Sequence, residues 1–148
     1  MSRMRLLLLA FALTACAAQP RPLEGPSRPQ PGELGYFIAT DDAWLVVELH
    51  TNDHAHRFQG SVTPVRGELR DLTLDRRALA DTVALEGGAL QFDVQVGKNG
   101  HERIRVRMPR DTPCAKFDLY LDSSRRADRI YLAAARTSPA QVPFERCR

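Results

Sequence analysis

The sequence predicts an all-β fold: an antiparallel β-sandwich, or partly open barrel, of about eight to nine strands in a single domain. Three observations predict it. Beyond residue 34 no long stretch has a helical period. Apolar residues instead alternate with polar ones in short runs, the period of a strand with one buried face. Turn residues interrupt the runs at spacings of about ten residues, as in sandwiches and barrels.

The runs follow in order. GYFIA (35–39) and AWLVVELH (43–50) come first, then HAHRFQGSV (54–62), ELRDLTL (68–74) and DTVALE (81–86). ALQFDVQV (89–96), HERIRVRM (101–108), AKFDLYLD (115–122) and RIYLAA (129–134) complete the set. RRALAD, near 76–81, has room for one helical turn, and SSRRADR (123–129) reads as a loop. No repeat and no second domain is visible.

Two neighbouring pairs of runs invite hairpins. In the pair 89–96 and 101–108, a three-residue loop Lys98-Asn99-Gly100 sets Val94 opposite Ile104 and Phe92 opposite Val106, so the apolar faces coincide. The same register sets Asp93 opposite Arg105 and Gln91 opposite Arg107. In the pair 43–50 and 54–62, the parity of the loop decides which side chains meet. A two-residue loop, Asn52-Asp53, pairs Leu49 with His56, Val47 with Phe58 and Glu48 with Arg57.

The second pair contains the segment HTNDHAH, with His50, His54 and His56 close to Asp53 and Glu48. A three-residue loop, Thr51-Asn52-Asp53, shifts the parity by one and gathers His50, His54, His56 and Glu48. Three imidazoles and a carboxylate form a ligand set for Zn²⁺ or Cu²⁺. The even loop keeps Leu45, Val47 and Leu49 together in the core, each worth about 1.5–3 kcal/mol when buried. The expectation is therefore a structural hairpin without cofactor. The metal set His54, His56, His50 and Glu48 stands as the alternative, with His54 and His56 sharing a face in either register.

The chain opens MSRMRLLLLAFALTAC. Arg3 and Arg5 precede an apolar run, Leu6 to Leu13, too short to span a bilayer as a stable helix. The run ends in Leu13-Thr14-Ala15-Cys16, which resembles the bacterial lipoprotein lipobox. The resemblance implies a signal peptide at 1–15, cleavage before Cys16, lipidation of Cys16 and anchoring to membrane. With Ala17 after the cysteine, it implies an outer-membrane lipoprotein facing the periplasm or cell surface. Residues 17–33 hold five of the ten prolines and few apolar side chains, so 16–34 reads as the lipidated cysteine and an extended tether. The domain is expected at 35–148.

The formal charge of the whole chain is +3. Loss of Arg3 and Arg5 with the signal peptide brings it to +1, which removes the case for a nucleic-acid partner. Cys114 and Cys147 then remain. In an oxidising compartment they are expected to pair, at a gain of about 3–4 kcal/mol on the chain-entropy view.

Arg103, Arg105 and Arg107 project from one face of one strand. They form either an anion-binding stripe or a solvated outer face, and the latter is the commoner fate of charged residues. Trp44 with Tyr36, Tyr120 and Tyr131 suggests a sugar-stacking platform if the four share a surface. The sequence contains no G-x-S-x-G, H-E-x-x-H or glycine-rich phosphate loop. The expected role is non-enzymatic: a tethered module that binds or braces an envelope protein or glycan, with copper or zinc handling through the His50–His56 cluster as the alternative and an enzyme acting on envelope polymers as the third reading.

Overall fold

A computed structural model describes residues 27–41, 43–80, 82–109, 114–122 and 125–133. The expected signal peptide, Cys16, the first part of the tether and Cys147 lie outside these residues. The described chain forms nine strands: β1 (Gly35–Asp41), β2 (Trp44–His50), β3 (His56–Pro64), β4 (Arg70–Leu74), β5 (Val83–Glu86), β6 (Ala89–Val96), β7 (His101–Arg107), β8 (Cys114–Leu121) and β9 (Arg125–Ala133). A 3₁₀ turn, Arg77–Leu79, stands where one helical turn was expected. β9 takes in most of the stretch expected as a loop at 123–129. Its first residues are strongly polar, and β9 is the edge strand of its sheet, where charged side chains are normal.

The strands make an antiparallel sandwich. Sheet A has the order β1-β2-β7-β4, and sheet B the order β5-β6-β3-β8-β9. The alternation read from sequence selects the inner faces. Leu45, Val47 and Leu49 of β2 meet Ile104 and Val106 of β7 on the inside of sheet A, all buried. Phe58 and Val62 of β3, Leu90, Phe92, Val94 and Val96 of β6, and Phe117, Leu119 and Leu121 of β8 face them from sheet B. Tyr36 of β1 bridges the sheets, its ring centroid 5.2 Å from that of Phe117. Gly60 leaves space for the ring of Phe92 opposite it; a Cβ there would lie 2.4 Å from the ring.

Neither expected hairpin forms. β2 pairs with β1 and β7, whereas β3 pairs with β6 and β8. β6 and β7 are likewise in different sheets. Segments 51–55 and 97–100 are therefore arches that cross from one sheet to the other. The physical reason is that alternation states which face of a strand is buried, and says nothing about which strand lies beside it. Ile104 faces Val47 instead of Val94, and Val106 faces Leu45 instead of Phe92. Phe58 faces Val94, and Val96 faces His56.

The two arches hold each other. The Thr51 N–H donates to the Gly100 carbonyl at 3.0 Å, and the Asn99 N–H donates to the Asn52 carbonyl at 2.6 Å. The Thr51 hydroxyl, buried at 1% exposure, accepts from the Gly100 N–H at 3.0 Å and donates to the Gly97 carbonyl. Asn99 takes a left-handed φ of 49°, which asparagine tolerates. The Thr51 hydroxyl thus ties its own arch to the 97–100 turn, which the Gly100 N–H also closes on the Gly97 carbonyl at 3.1 Å.

Among the described residues ahead of the boundary expected at Gly35, Arg28 already makes contacts with the domain. The Gln30 N–H donates to the Glu33 carboxylate at 2.8 Å, and Leu34 packs on the core. Cys114 is buried and disulfide-bonded; Cys147, its expected partner, lies outside the described residues.

Candidate functional site

The outer face of sheet A carries six of the residues singled out in the sequence: Trp44, Glu48, His50, Arg103, Arg105 and Arg107. β2 presents Trp44, Val46, Glu48 and His50; β7 presents His101, Arg103, Arg105 and Arg107. The register sets Trp44 opposite Arg107, Val46 opposite Arg105, Glu48 opposite Arg103 and His50 opposite His101.

Glu48 is the hub. It lies on the outer face, yet it is only 2% exposed because other side chains cover it. Arg103 reaches its Oε1 through Nη2 at 2.9 Å and Nε at 3.1 Å. Arg28, from the segment before β1, reaches Oε1 through Nη2 at 3.1 Å and Oε2 through Nε at 3.0 Å. His50 Nε2 stands 3.3 Å from Oε2. An ionised carboxylate only accepts, so the His50 Nε2 that faces it is the donor of this contact. Burial opposes ionisation of Glu48, but the hydrogen bonds from Arg103 and His50 and the charges of Arg28 and Arg103 outweigh it. The carboxyl is held below its ordinary range. Arg28 also lies over the ring of Phe37, 4.8 Å from its centroid.

Around this hub is a recess of about 390 Å³. Its rim is the segment Arg28 to Gly32, and its floor and far wall are Glu48, His50, His101, Arg103 and the arch residues Thr51, Asn99 and Gly100. The rings of His50 and His101 stack at 5.7 Å between centroids, 19° from parallel.

Further along β7, Trp44 braces two more arginines. The guanidinium carbons of Arg105 and Arg107 each lie 4.9 Å from the centre of its ring, the geometry of a cation–π contact. Arg107 also pairs with Asp71 at 2.7 Å. The arginine stripe thus exists as expected, but its partners differ. Arg105 lies beside Trp44 instead of Asp93, and Arg107 meets Asp71 instead of Gln91. Asp93 is in sheet B, where Arg57 grips it at 2.7 and 2.6 Å and Gln59 adds a third donor at 3.0 Å. The Arg57 hydrogen bond holds the Asp93 carboxyl below its usual range and raises the Arg57 guanidinium.

The set proposed for metal is not brought together. His50 and Glu48 belong to sheet A, whereas His56 belongs to sheet B. His56 Nδ1 faces Asp122 at 3.0 Å and its Nε2 faces Asn52 at 3.1 Å. His54 is exposed on the arch beside Asp53. Among the described residues no group of three or more histidines, cysteines or acids is placed to hold a metal ion. The three-residue loop that would have gathered these residues presupposed a hairpin, and the chain makes an arch instead. His101, which sequence reasoning did not select, is the histidine that meets His50. The proposed aromatic platform is also divided: Tyr36 is in the core, Trp44 is on sheet A and Tyr120 is on sheet B. The Tyr131 side chain lies outside the described residues.

Sequence reasoning missed two further features. Arg28 was assigned to the tether, and nothing in its proline-rich surroundings marks it as the cover of Glu48. Glu102 sits at a core parity on β7, only 4% exposed, and Arg76 binds it through Nε at 3.1 Å and through Nη2. An acid in the apolar alternation of 101–108 was the available signal, because a buried carboxylate requires a partner.

No family model, curated protein or solved structure matches the chain.

Proposed function

We propose that this protein is a lipid-anchored, outer-membrane protein whose sandwich is a non-enzymatic binding module, and that the outer face of sheet A holds an acidic envelope glycan. The observation that carries the reading is the bracing of the arginine stripe. Alternate residues of one strand stand about 7 Å apart, so Arg103, Arg105 and Arg107 form a row of cations. Each is held by another side chain: Arg103 by Glu48, Arg105 by Trp44, and Arg107 by Trp44 and Asp71. A guanidinium fixed before contact loses less conformational entropy on binding. The described acids that pair with this row and with Arg28 are Glu48 and Asp71, so the face keeps a net positive charge that attracts polyanions.

The anchor and the binding face are tested separately. Radiolabelled palmitate should enter the wild-type chain and not the Cys16→Ser variant, which should leave the membrane fraction. Acidic envelope polysaccharide should bind the wild-type protein and be released by salt, as expected for exposed charges. The Arg103→Gln/Arg105→Gln/Arg107→Gln variant should lose that binding, and Trp44→Ala should weaken it by leaving two guanidiniums unbraced. Binding that survives the triple substitution would refute the assignment of this face. Capture of an envelope protein that glycan does not compete away would move the reading to a protein partner.

A further inference from the structure

We infer that the recess beside Glu48 receives one doubly charged tetrahedral oxyanion, the group presented by a phosphate monoester on an envelope glycan, and that its binding brings uptake of a proton by the His50–His101 pair. The inference rests on the reading of sheet A as a binding face and adds which group is held and where.

The donors are arranged for it. Glu48 engages Nε and Nη2 of both Arg28 and Arg103. The Nη1 groups of two oriented guanidiniums remain to donate, and arginine forks suit phosphate oxygens. His50 and His101 line the same recess. Glu48 is too deeply covered to meet a ligand directly; its role is to hold the two arginines in place.

The charge balance gives the proton coupling. The charged or titratable groups lining the recess are Arg28 from the rim, Glu48 and His50 from β2, and His101 and Arg103 from β7. The arch contributes Thr51, Asn99 and Gly100, which carry no charge, and the Glu33 carboxylate is bound to the Gln30 N–H. Ionised Glu48 cancels one of the two arginines, so with neutral imidazoles the recess carries one positive charge. A dianion is matched when an imidazole takes up a proton. Without an anion, charging both stacked rings would set like charges 5.7 Å apart. A dianion beside them removes that penalty, so binding and protonation favour each other.

The test uses the full-length chain with inorganic sulfate as the probe at constant ionic strength. Sulfate keeps its double charge throughout the histidine range, so any pH dependence belongs to the protein. The dissociation constant should fall about tenfold or more from pH ~8 to pH ~6, across the imidazole range. The binding heat should vary with buffer ionisation enthalpy in the sense of proton uptake. His50→Gln/His101→Gln should flatten the pH profile, and Arg28→Gln should weaken binding at both pH values. Hydrogen–deuterium exchange on each variant verifies that the fold is intact. A sugar monophosphate should bind more tightly than inorganic phosphate; equal affinities would overturn the glycan as its source. No saturation at millimolar sulfate, or an affinity independent of pH, would overturn the oxyanion site. Acidic polysaccharide binding that still depends on Trp44 would then show that the face reading stands and this inference alone has failed.

Discussion

The outer faces of the two sheets both pair arginine with acid, but they do so in different surroundings. On sheet A, Glu48 is covered by the arginines that bind it, with its side chain 3% exposed. On sheet B, Asp93 meets Arg57 with side chains 39% and 47% exposed. Both carboxyls titrate below their ordinary range, but for different reasons. Burial works against Glu48, and several donors overcome it. For Asp93 the hydrogen bond from one arginine is the largest cause and exceeds the desolvation that opposes it. The lesson is that distance alone does not rank ion pairs. The Arg57–Asp93 contacts are shorter than any around Glu48, yet water and salt screen them. Glu48 organises a recess because its charge is poorly solvated and must be satisfied by protein.

Substitutions should widen that contrast. The largest effect is expected for Glu48→Ala, which leaves Arg28, Arg103 and His50 without their acceptor. Breaking a buried pair from one side typically costs 3–5 kcal/mol. Because both arginines can turn partly towards solvent, about 2–3 kcal/mol is expected here, read from urea unfolding with an unchanged m-value. A loss no greater than that of Asp93→Ala would end the distinction between the faces.

Thr51→Val should come next, at about 1–1.5 kcal/mol, since it removes the buried hydroxyl whose hydrogen bonds tie the 51–55 arch to the 97–100 arch. Its effect should appear in hydrogen exchange as lost protection at Gly100 and neighbouring amides. Unchanged exchange there would mean that the arches do not depend on each other.

Acid should then erase what Glu48 supplies. Its carboxyl titrates lower in the fold than in the unfolded chain. Its contribution is therefore complete above the ordinary carboxylate range and is lost as pH falls through the lowered value. The stability gap between wild type and Glu48→Gln should be constant near neutrality and close on acidification. A gap that persists in strong acid would assign the effect to packing.

The smallest effect is expected for Asp93→Ala. After allowance for solvent screening, it should cost under about 1 kcal/mol and shrink further as salt is added. Circular dichroism melts across a salt series can detect this. A salt-independent loss would mean that the pair behaves as a buried one.

Much of this was legible in the chain. β2 and β7 show their inner faces as Leu45, Val47, Leu49 and Ile104, Val106, because strand alternation is a local property. By the same parity, the arginines of β7 were seen to share one outer face. Arg28 and His101 were not selected: their significance comes from what packs on them, and their sequence neighbours carry no trace of those contacts. Glu102 was not selected either, although an acid at a core parity signalled that a partner was needed, without saying that the partner is Arg76.

By itself, then, the sequence determined the all-β class, the strand segments and the faces that are buried, because each depends on side-chain period and turn chemistry within a few residues. The tertiary structure alone decided which strands are neighbours. The same inward residues would suit a hairpin within one sheet or an arch between two, so local pattern cannot choose between them. That choice separated His50 from His56, set it against His101, and placed Glu48 beneath Arg28 and Arg103. Charge and imidazole chemistry act over a few ångströms, so the site exists only once strands distant in sequence lie side by side.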